Sequence, residues 1–495
     1  MTDVDFNDVQ GLLRFGYGKM TQASYALLRV RDAAAARAWL RAAPVTSALT
    51  MNPPPPTALQ VAFTAPGLSE LGVPSSVIAG FSPEFVTGMT EESRTRRLGD
   101  VGSNAPAQWS WGYDSDLPHL VVMFFAQPPG LTTFIQSATG PDWSRAFEEM
   151  RWLKTADLDG VEPFGFTDGI SQPRIDWERQ RDPTRPQIDY SNVVALGEFL
   201  LGYPNEYNKY TDRPLLDPDA ASANLLPAED APAKKDLARN GSYLVMREME
   251  QDVREFWKFV SQETGNRDAA AKLAATMVGR TRAGDPLVPI QKEAIPGISP
   301  DEAGQNRFTY GGDPSGSACP FGAHIRRANP RNPDFPGRPA SLIKRVITML
   351  GFGPKGFRDD LMSPVRFHRI LRRGREYGPG LLPEDALSPA LPNEPARGLH
   401  FICLNANISR QFEFLQNAWI VNPKFSGMTG ERDPLLGTRA ELPGCPVTAD
   451  FNQPRDGRLR KRVDGLPQFV TVRGGAYFFL PSLRALRYFA AKRSN

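Results

Sequence analysis

Short apolar runs are the clearest pattern along the chain. Residues 119–126, 400–405 and 476–480 each form a nearly continuous apolar stretch. Runs of this length are typical of strands in a sheet that is covered on both faces. None approaches the roughly 18 to 20 apolar residues that a membrane helix requires, so the sequence predicts no membrane span.

One pattern occurs twice. Residues 24–29, Ser-Tyr-Ala-Leu-Leu-Arg, are similar to residues 242–247, Ser-Tyr-Leu-Val-Met-Arg. Each is followed by a predicted helix, over 32–42 and over 252–262, and each helix opens with an Asp. A duplicated α+β unit explains the repeat, and a chance match over six positions explains it equally well.

The composition excludes several classes of protein. The chain has 495 residues, 41% of them hydrophobic, which is enough to bury one large core or two moderate ones. The net charge is only +3, with no concentrated basic tract, so nucleic acid is not a predicted partner. The first ten residues carry three Asp and no Lys or Arg, unlike a secretory signal, and we expect a cytoplasmic protein.

The cysteines predict neither a disulfide framework nor a metal cluster. Cys319, Cys403 and Cys445 stand far apart, are odd in number and form no Cys-x-x-Cys pair. Zinc and covalent c-type haem are therefore not expected.

Histidine is scarce, and the chain contains only His119, His324, His368 and His400. His119 and His400 begin apolar runs, a setting typical of hydrogen-bonded structural histidines. His324 is preceded by small residues and followed by three arginines within residues 319–331, so a flat cofactor can approach it. One imidazole ligand suits haem better than zinc; a histidine hydrogen-bonded within a loop is the alternative.

An acid between glycines is the second candidate for chemistry. Asp168 lies in Gly165-Phe-Thr-Asp-Gly169, with apolar residues on both sides. Partly apolar surroundings shift the pKa of a carboxyl group, which suits an acid–base catalyst. An ordinary Asp-Gly turn is the alternative.

Taken together, residues 165–169 and 319–331 resemble the signature of the dye-decolourising peroxidase (DyP-type haem peroxidase) family. The resemblance covers nearly the whole chain, including residues 8–11, 197–203 and 477–483. It implies an α+β fold of two ferredoxin-like modules, a duplicated antiparallel sheet with helices, in the dimeric α+β barrel-like superfamily. It also implies haem b, bound non-covalently.

The resemblance suggests three parts of the chain. Residues 1–165 form the N-terminal module, and residues 236–495 form the C-terminal module that holds haem. Residues 166–235 are a long connecting segment that carries Asp168 at its start. Leucines in this Pro- and Asn-rich stretch favour an ordered loop over a disordered linker.

The resemblance also implies roles for single residues that match the family's motifs. His324 matches the proximal iron ligand of the family, and Asp168 matches the distal acid that moves a proton between the peroxide oxygens. Arg372 matches the distal arginine, a fixed cation beside the charge that develops as the O–O bond breaks. Arg369, Arg373 and Arg375 lie nearby, and a solvated face of a basic helix or hairpin is the alternative for each arginine.

Further residues are candidates for contacts with haem. Arg326 and Arg327 are predicted to bind its propionates, with a basic surface patch as the alternative. The resemblance gives His368 no catalytic role, which leaves a structural or haem-edge position.

One departure from the family concerns the second nitrogen of the proximal histidine. Relatives often carry an acid for it after the strand at 399–404, where this chain has Asn405-Ala406-Asn407. Without that charge we expect a less basic imidazole and a higher iron reduction potential. Glu413 is a possible substitute.

Three functions are compatible with the sequence. The first is a peroxidase that reduces hydrogen peroxide and oxidises dyes, phenols or other one-electron donors. The second is a haem-binding or haem-handling protein without efficient turnover, and the third is a haem-free scaffold. Asp168 and Arg372 together favour the peroxidase. Tyr377 and Trp419 flank the matched segments and are candidates for carrying electrons from bulky donors at the surface; oligomeric state is left open.

Overall fold

The computed structural model describes residues 3–180, 193–290, 304–331, 365–440, 449–455 and 458–491. Cys445 and the beginning of the irregular stretch after residue 180 lie outside these ranges. Among the described helices, none is both long enough and apolar enough to cross a bilayer.

A nine-stranded antiparallel sheet forms the centre of the molecule. Its strands are β1 Gln22–Val30, β2 Thr57–Phe63, β3 Leu120–Ala126, β4 Phe147–Lys154, β5 Ser242–Gln251, β6 Leu371–Arg372, β7 Arg375–Tyr377, β8 Gly398–Asn405 and β9 Val470–Leu480. The order across the sheet is β6-β8-β5-β9-β2-β3-β1-β4, and β7 pairs with β8 beside β6. The three apolar runs found in the sequence are β3, β8 and the end of β9.

The two halves of the sheet repeat one topology. Within residues 22–154 the strand order is second, third, first, fourth. The strands of residues 242–480 follow the same order when β6 and β7, which both pair with β8, are counted as one interrupted strand. This is the order of a ferredoxin-like unit, so the predicted α+β fold of two such modules is confirmed. The halves join through β9 and β2, where Phe479 lies opposite Phe63. The predicted domain boundaries remain a prediction.

The register of the six-residue repeat is not the structural one. Tyr25 and Tyr243 are matched in sequence, yet Tyr25 packs on one face of the sheet and Tyr243 on the other. Since successive strand residues point to opposite faces, a shift of one position exchanges the faces. The repeat located β1 and β5 correctly but aligned them one residue out of phase.

The helices are mostly short. They are α1 Ala33–Ala42, α2 Ala65–Glu70, α3 Ser75–Ile78, α4 Pro83–Thr87, α5 Glu92–Leu98, α6 Leu131–Thr139, α7 Trp143–Ala146, α8 Val253–Thr264, α9 Arg267–Val278, α10 His324–Ala328, α11 Pro383–Ala386 and α12 Leu483–Ala490. Asp32 and Asp252 cap α1 and α8 by accepting from the backbone N–H three residues on, which confirms both predicted helix starts.

Shorter elements complete the fold. The small ribbons pair Arg174–Ile175 with Val193–Val194, Leu215–Leu216 with Lys235–Asp236, and Phe451–Gln453 with Lys461–Val463. The 3₁₀ turns are Gly11–Leu13, Gly102–Asn104, Pro106–Gln108, Asp114–Asp116, Leu196–Glu198, Gly304–Asn306, Tyr310–Gly312, Val365–His368 and Phe425–Gly427. Ser409–Glu413 and Leu415–Val421 are π-helical.

The two faces of the sheet have different partners. Helices α1 and α8 pack on one face, which we call the helical face, and the N-terminal residues and part of the connecting segment cover the other. In the C-terminal module, alternate residues on the helical face line a cavity. They are Arg247, Met249 and Gln251 on β5, Leu399 and Phe401 on β8, and Val470 and Val472 on β9.

Candidate active site

The cavity encloses about 280 Å³ and lies between the sheet, helix α10 and the π-helical segments. Its walls are largely apolar, with contributions from Phe164, Ile325, Phe412 and Trp419 in addition to the strand residues. His324, Asp168 and Arg372, which the sequence predicts to act together, all line it. The fold therefore brings residues from both halves of the chain to one place.

His324 begins helix α10 and is held by a buried acid. Its Nδ1 donates to Oδ2 of Asp433 at 2.9 Å, and Asp433 is completely buried. The other carboxylate oxygen, Oδ1, accepts from the backbone N–H groups of Leu435 and Leu436 at 2.9 and 2.8 Å. These bonds fix the tautomer and direct the lone pair of Nε2 away from Asp433.

Charge strengthens this pair. Burial lowers the pKa of His324, but the charge of Asp433 and its hydrogen bond outweigh burial, and the pKa lies above its ordinary value. Burial raises the pKa of Asp433, while His324 and Arg327 lower it to below its ordinary value. Asp433 is therefore ionised, and its charge makes the imidazole a better electron donor.

Asp433 overturns the expectation that the proximal histidine lacks an acidic partner. Asn407 instead accepts from Ser409 and from the backbone of Arg410. Glu413 is not the substitute, because its carboxylate pairs with Arg94 and accepts from Tyr477. The expected rise in reduction potential from a missing acid therefore has no basis. Asp433 is 109 residues from His324, and no spacing pattern connects them.

Asp168 is held at the end of the loop that follows β4. Its backbone N–H donates to the carbonyl of Gly160 at 3.0 Å, and its Oδ1 accepts from the backbone N–H of Gly169 at 2.6 Å. Oδ1 also accepts from Nη1 of Arg372 at 2.8 Å. About a third of each of the Asp168 and Arg372 side chains is exposed, so small molecules can reach the pair.

Arg372 is the arginine of its basic run that pairs with Asp168. Strand β6 places it opposite Cys403 on β8, and its backbone N–H donates to the side chain of Gln172 at 3.0 Å. Arg373 instead donates to the carbonyl of Leu12, away from the pair, and Arg369 lines the cavity. The structure thus separates the alternatives that the sequence left among these arginines.

The arginine decides the protonation state of Asp168. Burial raises the pKa of Asp168, but the charge of Arg372 and the hydrogen bonds from Gly169 and Arg372 outweigh burial, and the pKa lies below its ordinary value. At neutral pH the carboxylate is therefore ionised and ready to accept a proton.

A second hollow of about 220 Å³ adjoins the cavity. Asp168 and Arg372 line both spaces, and Gly160, Gln172 and Glu376 line only the second one. The ion pair accordingly stands where the two spaces meet.

Arg326 and Arg327 lie away from the cavity. Arg326 donates to Asp313 and to the carbonyl of Cys319, and Arg327 donates to the carbonyls of Trp419, Asn422 and Glu431. Both are buried, so the surface-patch alternative is wrong. The structure does not bring these two guanidinium groups to the place where a bound cofactor would lie.

Two other arginines, Arg331 and Arg369, line the cavity in which a cofactor would lie. Arg331 also donates to Ser171 and Asn306. His368 lines the same part of the wall, its ring stacked on Phe414 with 3.6 Å between centroids. Burial lowers the pKa of His368 to about 4, so the ring is neutral.

The remaining candidates have structural surroundings. His119 accepts from the backbone N–H of Val30, and His400 bonds to the carbonyl of Lys154, as expected of structural histidines. Tyr377 stacks on His400 with centroids 4.5 Å apart. Tyr377 and Trp419 are both buried, so neither offers the surface contact predicted for bulky donors.

The residues present fit a haem. The walls are apolar, and within the described residues Nε2 of His324 has no hydrogen-bonding partner. Arg331 and Arg369 are placed to meet carboxylates, and the buried Oδ1 of Asn329 has no partner in the described structure. No group of three or more metal-binding side chains occurs in the part of the chain that the structure describes, so a multi-ligand metal site is not formed there.

Comparison with known proteins points to one family. No family model matches the chain. Multifunctional dye peroxidase DyP2 of Amycolatopsis sp. is 30% identical over 450 residues, 87% of this chain and 81% of that protein. Dye-decolorizing peroxidase msp1 of Mycetinis scorodonius is 27% identical over 511 residues, 98% and 87% of the two chains. A solved dye-decolorizing peroxidase in complex with 2,6-dimethoxyphenol, 24% identical, superimposes with a TM-score of 0.73 over 99% of this chain and 100% of that one.

The fold and these relatives define a peroxidase, an oxidoreductase that acts on peroxide. The chain belongs to the dye-decolourising peroxidase family, whose members are haem enzymes. The family resemblance of the sequence is thereby confirmed.

Proposed function

We propose that this protein reduces hydrogen peroxide at haem b, held non-covalently in the cavity, and oxidises dyes and phenols in return. The observation that carries the proposal is that a His–Asp pair and an Asp–Arg pair line one apolar cavity. A carrier of haem has no need for an acid and a cation beside the binding face, so Asp168 and Arg372 favour turnover over haem handling.

The cofactor is proposed to be held by three side chains. His324 supplies Nε2 to the iron, while Arg331 and Arg369 pair with the haem carboxylates. When bound, haem supplies the two electrons that peroxide takes up and recovers them one at a time from the reducing substrate.

Asp168 moves the proton. As a carboxylate it would accept a proton from one oxygen of hydrogen peroxide and return it to the other oxygen, which departs as water when the O–O bond breaks. Over the whole reaction, hydrogen peroxide takes up two electrons from the bound haem and two protons, and becomes two molecules of water. Arg372 would stabilise the negative charge that develops on the departing oxygen.

The reducing substrates are proposed from the relatives. One solved relative binds 2,6-dimethoxyphenol, and the Amycolatopsis relative is a multifunctional dye peroxidase. Phenols and dyes are therefore the class of donor to test.

The decisive experiment compares Asp168→Asn with wild type after reconstitution with haem b. We expect an unchanged Soret band and a fall of roughly 10²- to 10⁴-fold in the second-order rate constant with hydrogen peroxide. Oxidation of 2,6-dimethoxyphenol should fall in parallel.

Asp157→Asn is the matched control, because Asp157 is exposed on the same loop and accepts only from the backbone of Asp159 in the described structure. An Asp168→Asn protein that binds haem and reacts with peroxide at the wild-type rate would refute the proposal.

A further inference from the structure

Glu162 is a cavity residue without a role in the reaction described above. It stands six positions before Asp168, within the loop that carries this acid, and it lines the cavity. A charged side chain in an apolar wall is costly unless its contacts repay the loss of water.

Four hydrogen bonds of Glu162 lie within the loop. Its Oε1 accepts from the backbone N–H of Phe166 at 3.0 Å, and its Oε2 accepts from the backbone N–H of Phe164 at 3.0 Å. Its own N–H donates to the carbonyl of Phe166 at 2.8 Å, and its carbonyl accepts from Gly165 at 2.7 Å. Glu162 thus closes the turn with hydrogen bonds from its side chain and from its backbone.

The same carboxylate ties the turn to the sheet. Nε2 of Gln251, the last residue of β5, donates to Oε2 of Glu162 at 2.7 Å. Further along the loop, the backbone and hydroxyl groups of Thr167 donate to the carbonyl of Arg282, at 3.1 and 2.9 Å. Asp168 follows directly, so its position depends on where this turn is held.

We propose that Glu162 is a positioning residue for peroxide reduction, which fixes the turn at 162–166 against β5 and so sets the place of the Asp168 carboxylate beside Arg372. The inference rests on the proposed role of Asp168. A general base acts only within hydrogen-bonding reach of the proton that it takes, and a displacement of about 1 Å can cost roughly 100-fold in rate.

Glutamine in place of Glu162 keeps the shape of the side chain but loses one of its hydrogen bonds. Both carboxylate oxygens of Glu162 accept from backbone N–H groups, so an amide NH₂ in either place meets a donor. Gln251→Leu is a milder second variant, since it removes only the tie to β5 and leaves the turn closed.

The test is a double-mutant cycle with Asp168→Asn, read as the rate constant of the haem-reconstituted proteins with hydrogen peroxide. Burial raises the pKa of Glu162 to about 7, against the hydrogen bonds that it accepts from Gln251, Phe166 and Phe164, so the measurements are made at pH 8. In the wild-type background Glu162→Gln should slow the reaction about tenfold and Gln251→Leu about threefold. In the Asp168→Asn background neither change should slow it further.

Glu413→Gln is the control, because Glu413 is a buried glutamate bound to Arg94 and Tyr477 outside the cavity. Equal slowing by Glu162→Gln in both backgrounds, or no slowing in either, overturns the positioning role. If Asp168→Asn alone leaves the rate unchanged, the proposed function is refuted. The cycle distinguishes that result from a failure of the positioning role of Glu162.

Discussion

Two carboxylates belong to the site, one behind His324 and one in the cavity wall, and they are held in opposite ways. Asp433 is completely buried and accepts three hydrogen bonds, from His324 and from two backbone N–H groups. The Asp168 side chain is 34% exposed and meets Arg372, whose side chain is 35% exposed. The difference suits a permanent ligand on one side and a proton carrier that exchanges with solvent on the other.

The partners of the two acids differ as well. The imidazole of His324 is polarised by Asp433, so the acid acts on the histidine. Asp168 is paired instead with an arginine, and Arg372 lowers the pKa of this acid. Asp433 thus has a partner that can bind a metal, and Asp168 has a fixed cation.

The largest effect is expected when the His324–Asp433 pair is broken at its histidine. His324→Ala removes the proposed iron ligand and leaves the buried charge of Asp433 without its partner. Haem affinity should fall by more than about 100-fold, because even changes behind a ligand cost roughly 10- to 100-fold. Titration of the protein with haem, followed by the Soret band, measures this. His119→Ala is the control, and unchanged affinity in His324→Ala would show that another residue binds iron.

Breaking the Asp168–Arg372 pair at its arginine should leave haem binding unchanged. Arg372→Leu is expected to lower the rate constant with peroxide about 10²- to 10³-fold, the usual effect of losing one charge-stabilising donor. Because Arg372 lowers the pKa of Asp168 against the effect of burial, its loss raises that pKa. The fall in rate at acid pH should therefore move to higher pH in the variant.

Stopped-flow rates over a pH series measure both effects. Arg375→Leu reports the general effect of losing an arginine from this part of the sheet, since Arg375 donates to the carbonyl of Tyr17 instead. If the rate falls at the same acid pH in Arg372→Leu as in wild type, Arg372 does not lower the pKa of Asp168.

The smallest effect should follow from Asp433→Asn. The amide must turn its NH₂ either toward the N–H of His324, which loses one contact, or toward those of Leu435 and Leu436, which loses two. Haem affinity should fall roughly 10- to 100-fold, and the iron reduction potential should rise because the imidazole loses a negative neighbour. Spectroelectrochemical titration measures the potential, with Asp450→Asn as control. A potential equal to that of wild type would contradict the proximal role of Asp433.

Features that are local in sequence were predicted well, since both helices that follow the repeated strands begin at an Asp cap. That His324, Asp168 and Arg372 line one cavity followed from the family resemblance and not from local pattern, and their roles stay a proposal. Asp433 was missed because a hydrogen bond across 109 residues leaves no periodic trace.

Arg326 and Arg327 were misplaced for a geometric reason. The segment forms helix α10, in which His324, Ile325 and Ala328 line the cavity. On a helix of 3.6 residues per turn, Arg326 and Arg327 then lie on the opposite side. A correct helix assignment over residues 324–328 would have excluded these two arginines from the cavity wall.

Strand β9 is the last strand of the sheet in the sequence, yet it stands in the middle, between β5 and β2. During synthesis on the ribosome, the first module and β5 emerge long before the strand that connects them. The sheet cannot become continuous until β9 has left the exit tunnel. The cavity wall that Val470 and Val472 provide is also absent until then. The cavity is accordingly complete only once its last strand is in place, and shortening the chain before β9 would remove the strand that joins the two halves of the sheet rather than trim an edge.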